Sequence, residues 1–191
     1  EAQGRFGEID LINMGLLEPK GWEYKTVSAK TGKASYEYII NAINLALKEE
    51  VHAVVTCPIN KEAIYKAGYH FAGHTEIFAY HTGYSSYAMM LVSNTLRVIH
   101  CTTHVSIRQA CDLVTKERVY DVIRLADEAL KLMGIKKPRI GVAGLNPHSS
   151  ENGLFGDEEQ KWIRPAIEEA KAHGCVAEGP VPPDTVFVKA L

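Results

Sequence analysis

The sequence lacks the short motifs by which many enzyme families are recognised. It contains neither the G-x-G-x-x-G fingerprint of dinucleotide-binding folds nor the G-x-x-x-x-G-K-[ST] phosphate-binding loop. The H-E-x-x-H zinc pattern and the G-x-S-x-G turn of serine hydrolases are also absent. The chain therefore shows no standard nucleophile and no standard nucleotide site, so its function must be inferred from other segments.

The sequence also has no excess of either charge and no long apolar run. Its 21 Lys and Arg residues nearly balance 23 Asp and Glu residues, giving a formal net charge of −2. This balance predicts binding neither to nucleic acid nor to an anionic membrane surface. No apolar run approaches the roughly 18 residues of a membrane span. The composition, 46% hydrophobic and 23% charged, is typical of a soluble globular protein.

Cysteine is sparse and widely spaced. The four residues, Cys57, Cys101, Cys111 and Cys175, form no C-x-x-C pair. This pattern predicts free thiols in a reducing cytoplasm rather than a disulfide framework. Cys101 lies three residues before His104, so it is either a metal ligand or a small buried core residue.

Neither end of the sequence resembles a natural terminus. The opening Glu1-Ala2-Gln3-Gly4 has no Met and none of the features of a secretory signal, and Leu191 follows directly on an apolar stretch. We therefore expect the chain to be a fragment of a longer polypeptide, and we expect the fragment itself to be inactive.

Apolar residues recur alternately at helix and strand spacing along the chain. Helices are predicted over residues 34–50, 61–66, 74–80, 107–110, 116–133 and 158–173, and strands over residues 51–56, 87–92, 96–101, 139–145 and 186–188. The strand at 139–145 is apolar at Ile140, Val142 and Leu145, which indicates burial in a sheet with helices on its faces. The pattern predicts an α/β fold with three αβα layers.

Three segments each place a histidine beside hydroxyl, amide or carboxyl side chains, where an apolar run gives way to a loop or helix. They are Gly73–Glu76, Thr102–His104 and Gly144–His148. Side chains at strand ends face the cleft in which α/β folds bind ligands. Imidazoles that converge there suit a divalent metal or an anionic substrate.

His74 and Thr75 begin a predicted helix. A helix N-terminus carries free N–H groups and a partial positive charge, which favour a carboxylate or phosphate. The alternative is that Thr75 only caps the helix and His74 is an exposed loop residue. Lys61, Arg97 and Arg108 either help to hold a phosphate or are solvated surface charges.

His104 and His148 each follow a predicted strand. His104 comes after two threonines and is either a ligand or a structural residue. His148 comes after Asn146 and Pro147, which stiffen the turn. It precedes a long glycine-rich loop, Ser149–Gly156, of the kind that forms binding sites. The other histidines have no supporting neighbours and receive no role.

Taken in order, these motifs resemble those of the 4-hydroxythreonine-4-phosphate dehydrogenase family. The resemblance rests on Thr56–Lys61, Gly73–Glu76, Thr102–His104, Gly144–His148 with Glu151–Gly153 and Gly156, and Pro183–Phe187. It covers the chain from about Lys30 onward. The loops Glu151–Glu159 and Pro182–Thr185 are more similar to the branch that oxidises 4-phospho-D-threonate and 4-phospho-D-erythronate.

The resemblance implies roles for the candidate residues. His74 and Thr75 would contact the substrate, while His104 and His148 would bind a divalent metal (zinc, manganese, cobalt or magnesium). The family's third metal histidine lies in a Tyr-His-Asp-Gln-Gly motif without a match in this sequence. We therefore expect the third ligand beyond Leu191.

The resemblance also implies an isocitrate/isopropylmalate-dehydrogenase-like fold, incomplete in this chain, and a homodimer with active sites shared between subunits. Residues 1–50 would belong to a first, incomplete lobe. Residues 51–191 would form the central α/β lobe, which carries the metal and substrate histidines and the dimer interface.

The implied activity is oxidation of the C3 hydroxyl of a 4-phosphorylated four-carbon acid by NAD, followed by decarboxylation of the 3-keto acid. One alternative is the 4-hydroxythreonine-4-phosphate dehydrogenase of pyridoxal phosphate biosynthesis, whose substrate carries an amine at C2. Alternatives of another class are a metal-dependent hydrolase or aldolase, and an inactive dimerisation and metal-binding fragment.

Overall fold

The computed structural model describes residues 4–18 and 20–191, so Glu1–Gln3 and Pro19 of the predicted first lobe lie outside the described residues. The chain divides into two compact units, the first ending at Ser85 and the second spanning Ser86–Leu191. The lobe boundary predicted between residues 50 and 51 lies inside the first unit, and the assignment of lobes stays a prediction.

The first unit is built from three helices. They are α1 (Ala29–Leu47), α2 (Lys61–Lys66) and α3 (His74–Thr82). Side chains at three- and four-residue spacing on α1 pack against α2 and α3. The buried residues of this core are Tyr36, Ile39, Ile43, Ile64 and Ile77. The apolar periodicity of the sequence therefore predicts the inward face of α1 correctly.

Helix α1 approaches the start of α2 very closely at Gly32. A Cβ at this position would overlap the carbonyl oxygen of Ala63 and would lie 2.7 Å from the Ile64 nitrogen. Only glycine permits such an approach. Helix α2 is capped by Asn60, whose Oδ1 accepts a hydrogen bond from the Ala63 N–H at 2.8 Å. Both contacts fix the position at which α2 begins.

The second unit mixes strands and helices. In chain order they are β1 (Met90–Val92), β2 (Arg97–Ile99), α4 (Ile107–Leu113), α5 (Lys116–Leu132), β3 (Arg139–Ala143), one π-helical turn (Glu159–Ile163) leading into α6 (Arg164–Ala172), β4 (Val176–Val181) and α7 (Val186–Lys189). Strands β1 and β2 form an antiparallel hairpin, whereas β3 and β4 pair in parallel. The predicted α/β class is therefore confirmed.

The core of the second unit lies where α5 and α6 pack on the β3–β4 sheet. Its buried residues are Val114, Val119, Ile123, Ile163, Ala166, Ile167, Ala170 and Ala177. The described residues form two two-stranded sheets, and the three-layer architecture stays a prediction. Within the described part of the chain, no helix combines the length and apolarity needed to cross a membrane.

Two predicted strands are wrong. Residues 51–56 have no regular secondary structure and pair with no strand of the described chain, and Val55 is 96% exposed. Residues 186–188 begin the short helix α7, because the Pro182 carbonyl accepts hydrogen bonds from the Thr185 and Val186 N–H groups. The strand that the sequence did not predict, β4, contains a cis Gly179–Pro180 peptide.

Candidate functional site

His104 lies on the exposed loop that joins β2 to α4. Its backbone has a φ of 57°, which is uncommon for a residue other than glycine. On one side of the loop, Ser106 and Gln109 form a capping box at the start of α4. On the other side, Arg118 Nε donates a hydrogen bond to the Cys101 carbonyl at 2.9 Å. The loop is therefore anchored at both ends.

The environment of Cys101 favours its role as a core residue. Its side chain packs against the buried cluster of the second unit. Burial raises the pKa of the Cys101 thiol, and the nearby Arg118 charge only partly opposes the rise. Because thiolate is the form that binds metal, a protonated thiol is a poor ligand.

The turn after β3, which carries His148, is held by the buried carboxylate of Glu159. Glu159 Oε1 accepts hydrogen bonds from the Leu145 N–H at 2.8 Å and the Asn146 N–H at 2.7 Å. Its Oε2 accepts from the Asn146 side-chain amide at 3.0 Å. Burial opposes ionisation of Glu159, but the hydrogen bonds from Asn146 outweigh it and hold the pKa below its ordinary value. A charged buried carboxylate thus fixes the turn.

The five residues His148–Asn152 are all in the left-handed region, with φ between 44° and 61°. Such a conformation costs about 1–2 kcal/mol for each non-glycine residue. Hydrogen bonds from Ser149 N to the Asn146 carbonyl at 3.0 Å and from Phe155 N to the Ser150 carbonyl at 3.1 Å help to hold it. Backbone strain of this kind clusters at functional sites. It supports the predicted binding role of this loop.

The side chain of His148 points away from the core and is 61% exposed. Its Nδ1 lies 3.8 Å from Asp184 Oδ2. Metal-binding histidines usually donate their second ring N–H to a carboxylate or carbonyl, which fixes the ring orientation. At 3.8 Å the two groups form no hydrogen bond, but Asp184 is a carboxylate on the Nδ1 side of this ring, a position that the sequence did not predict.

His104 and His148 fit part of a metal site. Both are exposed and both follow strands of the second unit, and imidazoles suit zinc, manganese and cobalt. Within residues 4–18 and 20–191, however, no three His, Cys, Asp or Glu side chains come together as a metal site. Since zinc sites use at least three protein ligands, these two histidines form an incomplete set.

An apolar cavity of about 520 Å³ lies in the second unit between the β1–β2 hairpin, α5 and β3. Side chains such as Val98, Val122 and Ile140 line it. Neither His104 nor His148 does so. Thr102, Gly144 and Leu145 do line it, so the cavity borders the two segments that carry these histidines.

His74 and Thr75 are the first two residues of α3, in the first unit. The N-cap is Gly73, so Thr75 does not cap the helix, and this alternative is wrong. His74 Nε2 and Glu76 Oε2 are both buried without a hydrogen-bond partner in the described chain. Buried polar atoms of this kind are costly unless a ligand or water pairs with them. This end of α3 has the properties of a binding site.

The predicted phosphate-binding cations separate into two groups. Arg97 on β2 and Arg108 on α4 are exposed residues of the second unit. Lys61 belongs to the first unit and lies at the N-terminal end of α3, beside Gly73.

All 191 residues match the protein family described as pyridoxal phosphate biosynthetic protein PdxA. The chain belongs to this family. The resemblance inferred from the ordered motifs is thereby confirmed. The relatives within the family carry dehydrogenase names, which differ in the substrate.

Two curated relatives are named D-threonate 4-phosphate dehydrogenase. The protein from Salmonella typhimurium is 46% identical over 191 residues, which cover 99% of this chain and 58% of the relative. The protein from Cupriavidus necator is 44% identical over 191 residues, which cover 100% of this chain and 57% of the relative. The chain thus spans little more than half the length of these relatives.

A crystal structure of 4-hydroxythreonine-4-phosphate dehydrogenase from Klebsiella pneumoniae superposes on the chain with a TM-score of 0.85. The two are 45% identical, and the match covers 92% of this chain and 53% of that one. The fold of the chain is therefore that of a PdxA-family protein.

Proposed function

We propose that the protein is an NAD- and divalent-metal-dependent dehydrogenase acting on 4-phospho-D-threonate or 4-phospho-D-erythronate. The observation that carries the proposal is the match of the whole chain, at 44% and 46% identity, to relatives named D-threonate 4-phosphate dehydrogenase. The C3–H bond breaks to give a hydride to NAD, and the C3 hydroxyl gives its proton to solvent or a base. The resulting 3-keto acid then loses carbon dioxide.

In this proposal, His104 and His148 are two of the metal ligands, and the described residues orient them. A bound divalent cation lowers the pKa of a coordinated substrate hydroxyl and so favours hydride loss. Glu159 holds the turn that presents His148, and Asp184 lies on the Nδ1 side of the His148 ring, where it would accept the Nδ1 proton when metal binds. This leaves Nε2 facing outward as the ligand atom.

The substrate is anchored at the N-terminus of α3. His74 and Thr75 lie where free N–H groups and the helix dipole favour an anionic group. The unpaired His74 Nε2 is a further group that substrate satisfies.

A second candidate is 4-hydroxythreonine-4-phosphate dehydrogenase activity, in the biosynthesis of pyridoxal phosphate. It is favoured by the similarity to the Klebsiella pneumoniae structure that carries this name. The substrates differ at C2, which bears an amine in one and a hydroxyl in the other.

The remaining expectations also belong to this proposal. The whole protein adopts the three-layer isocitrate/isopropylmalate-dehydrogenase-like fold and forms a homodimer whose subunits share active sites, with the interface in the lobe of residues 51–191. It works in the cytoplasm, which agrees with the free state of all four cysteines.

A substrate panel tests the proposal. The whole protein is supplied with NAD and a divalent metal, and NADH formation is measured with 4-phospho-D-threonate, 4-phospho-D-erythronate and 4-phosphohydroxythreonine. We expect the highest kcat/KM with one of the two hydroxy acids. The highest value with the amine substrate would establish the second candidate instead, and no NADH from any of them would reject both.

A further inference from the structure

Unpaired polar groups from two helices meet at Gly73, the residue before α3. A Cβ at Gly73 would lie 3.5 Å from Glu76 Oε2 and 3.8 Å from Lys61 Cε. The next residue, His74, has a buried and unpaired Nε2, and Glu76 Oε2 is likewise buried and unpaired. The Lys61 ammonium group makes no hydrogen bond or ion pair to any residue that the structure describes.

The stability of α2 does not explain why a lysine occupies position 61. Lys61 is the first residue of α2, where a positive charge opposes the helix dipole. Lys66 of the same helix shows the favourable arrangement. It lies at the C-terminal end and pairs with Glu62 at 2.9 Å. Lys61 is thus an unpaired cation at the N-terminal end of α2, where the helix dipole disfavours it, and it is directed at α3.

The unpaired groups define the chemistry of a ligand. Lys61 and the α3 N-terminus favour an anion. The Glu76 carboxylate repels a simple anion but accepts a hydrogen bond from a hydroxyl. A molecule with an anionic group beside a hydroxyl satisfies both, whereas inorganic phosphate alone satisfies only the first. Phosphorylated hydroxy acids have this combination.

We propose that Lys61 is a substrate-binding residue that holds an anionic group, phosphate or carboxylate, of the phosphorylated hydroxy acid at the N-terminus of α3. The proposal rests on the proposed function and adds to it the cation that neutralises the substrate. The tight packing of α1 on α2 at Gly32 holds the start of α2, and hence Lys61, in place.

Steady-state kinetics of Lys61→Met in the whole protein test the proposal. A hydrogen bond to a charged group is worth about 1.5–3 kcal/mol, so KM for the phosphorylated acid should rise about 10- to 100-fold. The kcat and the KM for NAD should not change. Lys61→Arg keeps the charge and should recover part of the affinity. The matched control, Lys66→Met on the same helix, should leave KM unchanged, and a wild-type KM in Lys61→Met would overturn the proposal.

Competitive inhibition identifies which anionic group Lys61 holds. If it is the phosphate, Lys61→Met weakens inhibition by inorganic phosphate. If it is the carboxylate, the variant weakens inhibition by unphosphorylated D-threonate. Unchanged inhibition by both would contradict the proposal.

Calorimetric titration separates failure of this proposal from failure of the proposed function. If the wild-type protein forms no NADH, the proposed function fails. Titration of 4-phospho-D-threonate into wild type and Lys61→Met still tests Lys61, because weaker binding to the variant supports its role. Equal binding to both, or no binding to wild type, overturns it.

Discussion

The side chain of Glu159 links the buried core of the second unit to the loop that presents His148. It is 1% exposed, yet it is ionised because three N–H groups donate to its two oxygens. Burying a charge without partners is costly, so the carboxylate and the turn depend on each other. Loss of the carboxylate or of the turn should therefore allow residues His148–Asn152 to leave their strained left-handed conformation.

Replacing Glu159 by Gln tests this dependence. In the Gln variant, an NH2 group replaces one of the carboxylate oxygens that accept hydrogen bonds, so N–H groups of Asn146 would face another donor. We therefore expect a loss of about 1–3 kcal/mol in the free energy of unfolding, measured with urea. The control is Glu168→Gln on the exposed face of α6, where only the surface pair with Lys171 at 3.0 Å is lost. That change should stay below about 1 kcal/mol. Equal effects of the two substitutions would contradict the role of Glu159.

The difference between wild type and Glu159→Gln should also depend on pH. The pKa of Glu159 in the folded state is lowered from its ordinary value of 4.5. The ionised carboxylate therefore stabilises the fold fully above that value, and the stabilisation is lost as the pH falls through the lower folded-state pKa. Unfolding measured over this acidic range should show the difference shrinking.

The candidate site was only partly predictable at the scale of residues. His74, Thr75, His104 and His148 belong to short continuous motifs, so a local pattern marks them. Glu159 acts on a turn that ends more than ten residues earlier, and its neighbour Glu158 also accepts a hydrogen bond from the Asn146 amide there, at 2.7 Å. Nothing local in the sequence shows that either carboxylate folds back on the turn. Such partners become visible only when tertiary contacts are known.

At the scale of elements, the packing of α1 on α2 depends on one missing side chain. We expect Gly32→Ala to destabilise the first unit by about 1–3 kcal/mol, since the added methyl overlaps the Ala63 backbone. The intrinsic helix preference of Ala favours the substitution by only about 1 kcal/mol. Thermal unfolding of Gly32→Ala beside Lys33→Ala, an exposed neighbour on the same helix, provides the measurement. A stabilised Gly32→Ala protein would refute the close approach.

In the left-handed loop after β3, introducing a glycine should stabilise the protein, whereas at position 32 removing a glycine should destabilise it. Glu151 has a φ of 44°, so Glu151→Gly should relieve about 1–2 kcal/mol of strain, partly offset by about 0.5–1 kcal/mol of backbone entropy. The net effect should be a small stabilisation. Glu168→Gly, made in the regular helix α6, should instead destabilise by about 1 kcal/mol. If both variants lose stability equally, residue 151 is not in the left-handed region.

Helices were predictable at this scale because their signal is local. The helix predicted at 116–133 is observed as Lys116–Leu132. The N-terminal caps of α2, α4 and α5 are Asn60, Ser106 and Thr115, residue types that favour this position. Strands were less predictable because pairing depends on distant residues. The β-branched run at 51–56 has no partner strand, whereas β4 pairs in parallel with β3 despite containing Gly and Pro.

At the scale of the whole molecule, the proposed metal site predicts a dependence on both histidines. In the whole protein, His104→Ala and His148→Ala should each lower the content of bound zinc or manganese, measured by elemental analysis, while the far-UV circular dichroism spectrum stays that of the wild type. The control is His52→Ala, an exposed histidine with no assigned role. Metal content that equals wild type in both site variants would exclude them as ligands.

The central claim is that the protein transfers hydride from C3 of a 4-phosphorylated acid to NAD. The most direct test supplies the whole protein with NAD and 4-phospho-D-threonate carrying deuterium at C3, and analyses the products by mass spectrometry. We expect one deuterium in each NADH formed, together with carbon dioxide released from the 3-keto acid. NADH without deuterium, or loss of phosphate with no NADH at all, would contradict the account.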